Sequence, residues 1–364
     1  MRKQLIMGAT VATIAIMALT ACSSRGTTSG DSSSTIKKGD TIGVALPAKT
    51  SQNWVLAKAA FEKSITAAGF KADVQYAAAT NTVPDQQNEV SAMVTKGDKV
   101  IIVAAQDGSQ LGTQVKAAKA AGAIVIAWDR NLTGTKNVDY YVAFNNFKVG
   151  QLQGQALLDG MAAKKATGPY NIELFAGSPD DANAPIFFNG AMSILQPKID
   201  DGTLKVASGE TKFQQVSTQG WLAQNAQSRM SDLLTKNYSA ATPTLDGVLS
   251  PNDTLGRAIL TAVKAAGKPY PIVTGQDSET ASIPLIMQGI QYSTIYKNTQ
   301  DEAQAAVDLV VTLSKGQKPA TVVDKNNYNG VITVPSVELT PILVTKANAA
   351  EAYKDNPTLE PLTK

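Results

Sequence analysis

The chain has 364 residues, with 33 Lys and Arg against 30 Asp and Glu, no His and a single Cys. The lack of His removes Ser-His-Asp and Cys-His nucleophilic catalysis, and one Cys without His leaves nearly no zinc site and no internal disulfide. The balanced charge, with no basic run, argues against nucleic acid as a partner, because phosphate binding needs clustered Lys and Arg; chemistry by a pair of carboxylates stays open.

Arg2 and Lys3 precede an apolar stretch from Leu5 to Leu19. A basic start, a short apolar core and small residues before a cut read as a secretory signal peptide over residues 1–21. The stretch is too short and too early for a lasting membrane span. Its end, Leu19-Thr20-Ala21-Cys22, resembles the lipobox of bacterial lipoproteins. That resemblance implies cleavage before Cys22 and a lipid on its thiol. The alternatives are an ordinary signal peptide with an incidental Cys, or a buried N-terminal helix. Removing residues 1–21 deletes Arg2 and Lys3 and no acid, which leaves 31 basic against 30 acidic residues. Ser23 to Thr35 is a Ser/Gly/Thr run that cannot bury a core. Residues 22–38 are therefore expected to form a flexible tether.

From Thr41 the pattern alternates. Thr41–Leu46 reads as a strand, Trp54–Ala68 as a helix ending at Gly69, Ala72–Ala77 as a strand and Asp85–Thr95 as a helix. Val100–Ala104 is a continuous apolar run, as expected for a central parallel strand covered on both faces. Ser109–Ala121 is an Ala-rich helix with Ser109 as candidate N-cap, and Ala123–Trp128 is the next buried strand. The pattern restarts with helices over Val149–Ala163, Ala182–Leu195, Trp221–Leu234, Leu255–Ala266, Ile283–Gly289 and Thr299–Ser314. Strands are expected at Asn171–Phe175, Gly247–Ser250, Pro271–Thr274, Gln291–Tyr296, Val331–Val334 and Ile342–Val344. Parallel strands joined by helices imply an α/β chain with two doubly wound sheets of similar size.

Ligands of open parallel sheets bind outside the carboxyl ends of the strands. Five strand ends here present polar groups: Asp129-Arg130, the stretch through Asp181 to Asn183, Asn252-Asp253, Gln276-Asp277 and Lys297. Any one could instead cap a helix or make a turn, and for Asp181 and Asp253 capping weighs equally with binding. Asp107 reads as a turn or cap. Trp54, Trp128 and Trp221 lie near these ends. Aromatic faces can stack on pyranose C–H faces while carboxylates, amides and guanidinium bond the hydroxyls in pairs. Core packing is the competing reading for each Trp.

In that order and spacing, the segments Val100–Val103, Ala127-Trp128-Asp129-Arg130, Ile172 to Asp181, Leu249–Asp253, Gly275-Gln276-Asp277 and Tyr292–Lys297 resemble the type I periplasmic sugar-binding proteins of ABC importers, in the multiple-sugar and xylose-binding branch. The resemblance spans Gly39 to Lys346. It implies that Trp54 and Trp221 sandwich a sugar ring. Asp129 and Arg130 would bind hydroxyls from one lobe, and Asp181, Asn183, Asn252 and Asp277 from the other. Lys297 would contact an oxygen near the hinge. Asn53 stands where the branch often has Arg, which disfavours acidic sugars. Trp128 replaces a common Tyr, and Ala182 a common Asn.

The resemblance further implies two α/β lobes joined by a three-stranded hinge, with crossings near Asn146, Asp277 and Asn329. The expected lobes are 39–146 plus 278–329 and 147–277 plus 330–350, closing on the ligand by a hinge motion. It implies a monomer with no catalytic residue, cofactor or metal. Delivery to a permease follows from the same likeness, and because Arg130 and Lys297 are matched by Asp129, Asp181 and Asp277 the ligand is expected to be a neutral aldopyranose. The lipid suits the outer face of the membrane of a Gram-positive cell, with a lipoprotein of a cell with two membranes as the alternative. A receptor that passes its closed form to a signalling partner would have the same pocket. A carboxylate glycosidase is disfavoured, since Arg130 should lower a neighbouring carboxyl pKa where a general acid needs it raised. A sugar-responsive regulator shares the fold, but a secretion signal and the missing helix-turn-helix segment oppose it.

Overall fold

The computed structural model describes residues 36–49, 51–79, 82–239 and 243–364. The signal peptide, Cys22 and the Ser23–Thr35 run lie outside the described residues. No helix among the described residues is long and apolar enough to cross a membrane.

The first sheet is built from β1 (Thr41–Leu46), β2 (Lys71–Tyr76), β3 (Val100–Val103), β4 (Ile124–Trp128) and β5 (Tyr140–Phe144). The helices α1 (Gln52–Ala67), α2 (Thr82–Lys96) and α3 (Gly112–Ala120) alternate with them. β3 is buried throughout, as its unbroken Val-Ile-Ile-Val run requires of a strand covered on both faces. Phe61, Ile65, Ile102 and Trp128 fill the core on one face, and Ile101, Val103 and Val125 that on the other.

The chain then enters a second lobe through α4 (Asn146–Lys164). The Asn145 side chain accepts from Lys148 N and caps this helix. β6 (Tyr170–Leu174), α5 (Ala184–Asp200), β7 (Leu204–Val206), α6 (Phe213–Val216), α7 (Ala223–Asn237), β8 (Gly247–Leu249), α8 (Asp253–Ala265) and β9 (Ile272–Val273) follow. Their strands form a parallel sheet of order β7-β6-β8-β9. α9 (Ile283–Met287) leads to β10 (Ser293–Tyr296), α10 (Thr299–Ser314), β11 (Ser336–Leu339), β12 (Ile342–Thr345) and α11 (Ala349–Ala352).

The pairing corrects two of the three expected crossings. The first falls at Asn145-Asn146, close to expectation. The second was placed near Asp277, yet β10 stays with the second lobe. Tyr292 N donates to Val273 O and Asp277 N to Ile295 O, at 3.0 and 2.9 Å, and Ile295 packs on Val149 and Phe187. The chain returns to the first lobe only at Lys297-Asn298, where α10 packs its Ala303, Val307 and Val310 into the first core. The third was placed near Asn329, but β11 pairs in parallel with β5 and completes a six-stranded sheet of order β11-β5-β4-β3-β1-β2. The last crossing therefore lies at Thr340-Pro341, before β12 pairs antiparallel with β10.

Local differences have local causes. Val331–Val334 is no regular strand; Thr333 makes one bridge, to Tyr328, and β11 starts after Pro335. β5 and β7 are strands absent from the sequence-based series. The Ser109 hydroxyl donates to Asp107 Oδ1 instead of capping, so α3 begins at Gly112. Asp107 makes the turn expected of it, accepting from Ser109 N as well. Trp221 ends a short 3-10 turn, Gln219–Trp221, and α7 begins after it.

α4 and α5 touch backbone to backbone. A Cβ on Gly150 would collide with the Phe187 carbonyl, and one on Gly190 with that of Phe147. This contact fixes the helix whose first turn carries Phe187. Gly150→Ala should lower stability by roughly 1–3 kcal/mol, the usual cost of forcing atoms into a packed contact. Urea unfolding with an unchanged midpoint would refute the close approach.

Candidate functional site

The carboxyl ends of β4, β6, β8, β9 and β10 converge on one cleft between the lobes. There a cavity holds about 470 Å3 free of protein atoms, part of it open to solvent. All ten residues expected to face a ligand line it: Asn53, Trp54, Asp129, Arg130, Asp181, Asn183, Trp221, Asn252, Asp277 and Lys297. Ser51, Phe187, Thr254 and Gln276 also line it and were not anticipated. Gln276 had a signal, its place in Gly275-Gln276-Asp277. Ser51, Phe187 and Thr254 had none, since each looks like an ordinary residue of a helix start.

Trp54 sits in the first turn of α1 and Trp221 on the loop before α7, one from each lobe. Trp54 is 4% exposed and packs edge-on to Trp128, centroids 6.3 Å apart. It therefore serves the core and the cavity together. Trp128 is core alone: it is fully buried, stacks edge-on to Phe61 at 4.9 Å, and its Nε1 donates to Glu302 O at 3.1 Å. Trp221 packs against Gly177, where a Cβ would collide with its ring. Its Nε1 donates to Asp181 Oδ2 at 3.1 Å. Asp129, Trp221, Asp277 and Ser278 all adopt positive φ, the described residues other than Gly that do. Such strain persists only where surroundings over-determine it, and it concentrates at functional sites.

Polar bonds cross the cleft. Arg130 Nε lies 3.1 Å from Asp181 Oδ2, and the Arg130 guanidinium lies over the Trp54 ring at 5.0 Å. Asn183 Nδ2 donates to the Asp129 carbonyl at 2.7 Å, which also accepts from the Tyr141 hydroxyl at 2.6 Å. Lys297 Nζ stands 3.3 Å from Asp277 Oδ1 and 3.6 Å from Asp129 Oδ2. Asn252 accepts from Leu255 N, so it caps α8 while lining the cavity. Asp253 does not reach the cavity; fully buried, it accepts from Gln291 Nε2 at 2.7 Å and Thr294 Oγ1 at 3.0 Å. Asn53 accepts from the Thr299 hydroxyl. Gln276 Oε1 is buried with no hydrogen-bond partner, an acceptor left for a hydroxyl or amide.

Charge is over-supplied on the acidic side. Arg130 and Lys297 face Asp129, Asp181 and Asp277, and Glu302 stands behind them with 1% exposure. Burial pushes the Asp277 carboxyl up to about 6, with Lys297 opposing. Burial also raises Asp181, with the Arg130 charge and the Asn183 amide opposing. Glu302 is raised well above its ordinary value by burial and then by the Asp129 charge. For Lys297, burial disfavours the cation, but Asp277, Asp129 and Glu302 outweigh it and raise its pKa.

Residues 42–318 match the periplasmic binding protein domain. The chain is 46% identical to the multiple sugar-binding periplasmic receptor ChvE of Rhizobium radiobacter over 85% of this chain and 87% of that one. The chain belongs to the periplasmic sugar-binding proteins. It is 33% identical to the D-xylose-binding periplasmic protein of Escherichia coli, over 84% of this chain and 87% of the other. An ABC transporter solute-binding protein from Clostridium phytofermentans, solved with bound β-D-glucose, superposes with a TM-score of 0.83. It shares 35% identity and covers 89% of this chain and 100% of its own.

The chain is thus a binding protein rather than an enzyme. Electrostatics does not exclude a general acid at the carboxylate beside Arg130, however. Arg130 was expected to lower its carboxylate neighbour, but burial raises Asp181 despite it. What disqualifies Asp181 as a proton donor is occupancy. Its oxygens already meet Arg130 Nε, Trp221 Nε1 and Asn183 N.

The raised Asp277 has a testable sign. Its folded value near 6 exceeds the roughly 3.9 of an unfolded Asp, so the folded chain holds more proton between those values. Its contribution to stability is therefore present below about pH 4 and lost as pH rises through 6. Asp277→Asn should melt higher than the parent at pH 8, by at most roughly 3 kcal/mol, with no gain at pH 4. An equal shift at both pH values would contradict this account.

Proposed function

We propose that the binding protein captures a neutral monosaccharide in pyranose form between its lobes. It then delivers the sugar to an ABC importer permease while lipid on Cys22 holds it at the outer face of the cytoplasmic membrane. The observation that carries the reading is one tryptophan from each lobe flanking paired Asp, Asn and Arg, with no surplus cation in the cavity. The tryptophans offer apolar faces to the ring. Asp129, Asp181, Asn183, Asn252, Asp277, Arg130 and Lys297 bond its hydroxyls, and Asn53 and Gln276 add an edge. A sugar carboxylate would meet three Asp and no free partner, and burying an unpaired charge is costly. Glucose in the Clostridium phytofermentans structure supports an aldohexose, and the Escherichia coli relative supports a pentose such as xylose. Lobe closure would turn about the three crossings.

Lipid anchoring rests on Leu19-Thr20-Ala21-Cys22, and it suits a cell without an outer membrane, where an unanchored monomer diffuses away. A second role, passing the closed form to a sensing partner, is favoured by the word receptor in the name of the Rhizobium radiobacter relative.

Calorimetry with glucose against glucuronate, and galactose against galacturonate, tests ligand charge. Tighter binding of either uronate overturns the reading. Trp221→Ala should lose roughly 2 kcal/mol or more of affinity, as expected of an aromatic anchor, and some melting temperature, because the half-buried ring also packs against two cores of the second lobe. Trp54→Ala should lose both, because Trp54 also belongs to the first core. Cys22→Ala should move the protein from the detergent phase to the aqueous phase in a phase-separation assay; unchanged partition rejects the anchor.

A further inference from the structure

Beside the cavity between the tryptophans lies a second one of about 540 Å3, against about 470 Å3 for the first, each partly open to solvent. The two share Asn53, Asp277 and Lys297 as a common wall. Asn53, which lines both, accepts from the Thr299 hydroxyl.

The second cavity has the same mixed chemistry as the first. Leu56, 44% exposed, and Tyr296 supply apolar surface. Gln52, Thr280, Asn298 and Thr358 supply neutral donors and acceptors. Gln52 Oε1 accepts from both Thr280 N and Thr280 Oγ1 at 3.0 Å, a bridge between α1 and the segment after β9 that spans the cavity from lobe to lobe. Charges here are committed: Glu279 to Arg257 at 2.5 Å and Lys297 to Asp277 at 3.3 Å. No cation is left over for an anionic group.

We propose that this side cavity is an adjoining subsite that receives a second pyranose ring, so that the site takes neutral disaccharides as well as the monosaccharide. Comparable size, a shared polar wall and a lining whose charges are already paired with one another all point to a ring of the same class as its neighbour. The inference rests on the sugar-binding reading of the first cavity. The second ring would displace Asn53 from Thr299, lay one face on Leu56 and Tyr296, and exchange hydroxyl bonds with Gln52 and Thr358.

The test is calorimetry on the whole chain with glucose, xylose and galactose, and with cellobiose, maltose, isomaltose, xylobiose and lactose. At least one disaccharide should bind within about tenfold of its parent monosaccharide. Leu56→Trp and Thr358→Trp, which fill the side cavity alone, should each weaken that disaccharide by about tenfold or more and leave the monosaccharide unchanged. Two variants guard against one failing to fold, checked by melting temperature. Monosaccharide binding with every disaccharide weaker than about tenfold overturns the subsite and spares the sugar reading. Equal loss of both ligands in both folded variants overturns it too. Binding of no sugar at all overturns the reading beneath it.

Discussion

The contact between Arg130 and Asp181 holds the site together. It is an ion pair with 8% and 4% of its side chains exposed, formed between residues from different sheets. Taking two charges out of water is expensive, and the loss is recovered only with good geometry and further hydrogen bonds. The chain supplies these. Asp181 takes the Trp221 indole N–H and the Asn183 amide, and Arg130 is backed by the Trp54 ring. One pair thereby orients both tryptophans, and Asn183 carries the orientation onward to the Asp129 carbonyl. Little of this adds to stability; it assigns positions.

Much of the site was legible because strand ends are local. A β-run followed by Asp-Arg or Gln-Asp places those side chains wherever the strand goes, and all ten expected residues line one cavity. Less legible was anything decided by a distant partner. Phe187 reaches the cavity because Gly150 and Gly190 let α4 and α5 approach, and that reason lies many residues away. The crossings differ from expectation for the same cause. Whether Ser293–Tyr296 stays with the second sheet depends on what it hydrogen-bonds, and its own residues do not say. Val331–Val334 is more apolar than Ser336–Leu339, yet the latter pairs with β5. Pro335 separates the two and interrupts the ladder.

Trp54 and Trp128 show how one residue type divides. Each could stack on a ligand or fill a core, and composition does not separate these outcomes. Geometry does: Trp128 spends its indole N–H on the Glu302 carbonyl and is fully enclosed, whereas Trp54 makes an edge-to-face contact with Trp128 and also lines the cavity. The direction of the carboxyl pKa shifts is decided by enclosure. A cation beside an Asp suggests lowering, but burial outweighs that cation at Asp181 and Asp277 alike. Enclosure is a property of the whole fold and leaves no mark on the neighbouring sequence.

Gly177 has a bearing on how such a protein can change over generations. Any side chain there displaces Trp221, and a change at Asp181 that removes its acceptor oxygen frees the indole N–H. The aromatic plate is thus locked from behind and from its edge, and drift at those positions meets immediate loss. Ser51 and Gln276 border the cavity without touching that lock and are freer to change. A lineage can therefore exchange one sugar for another at the rim while inheriting the stacking platform unaltered.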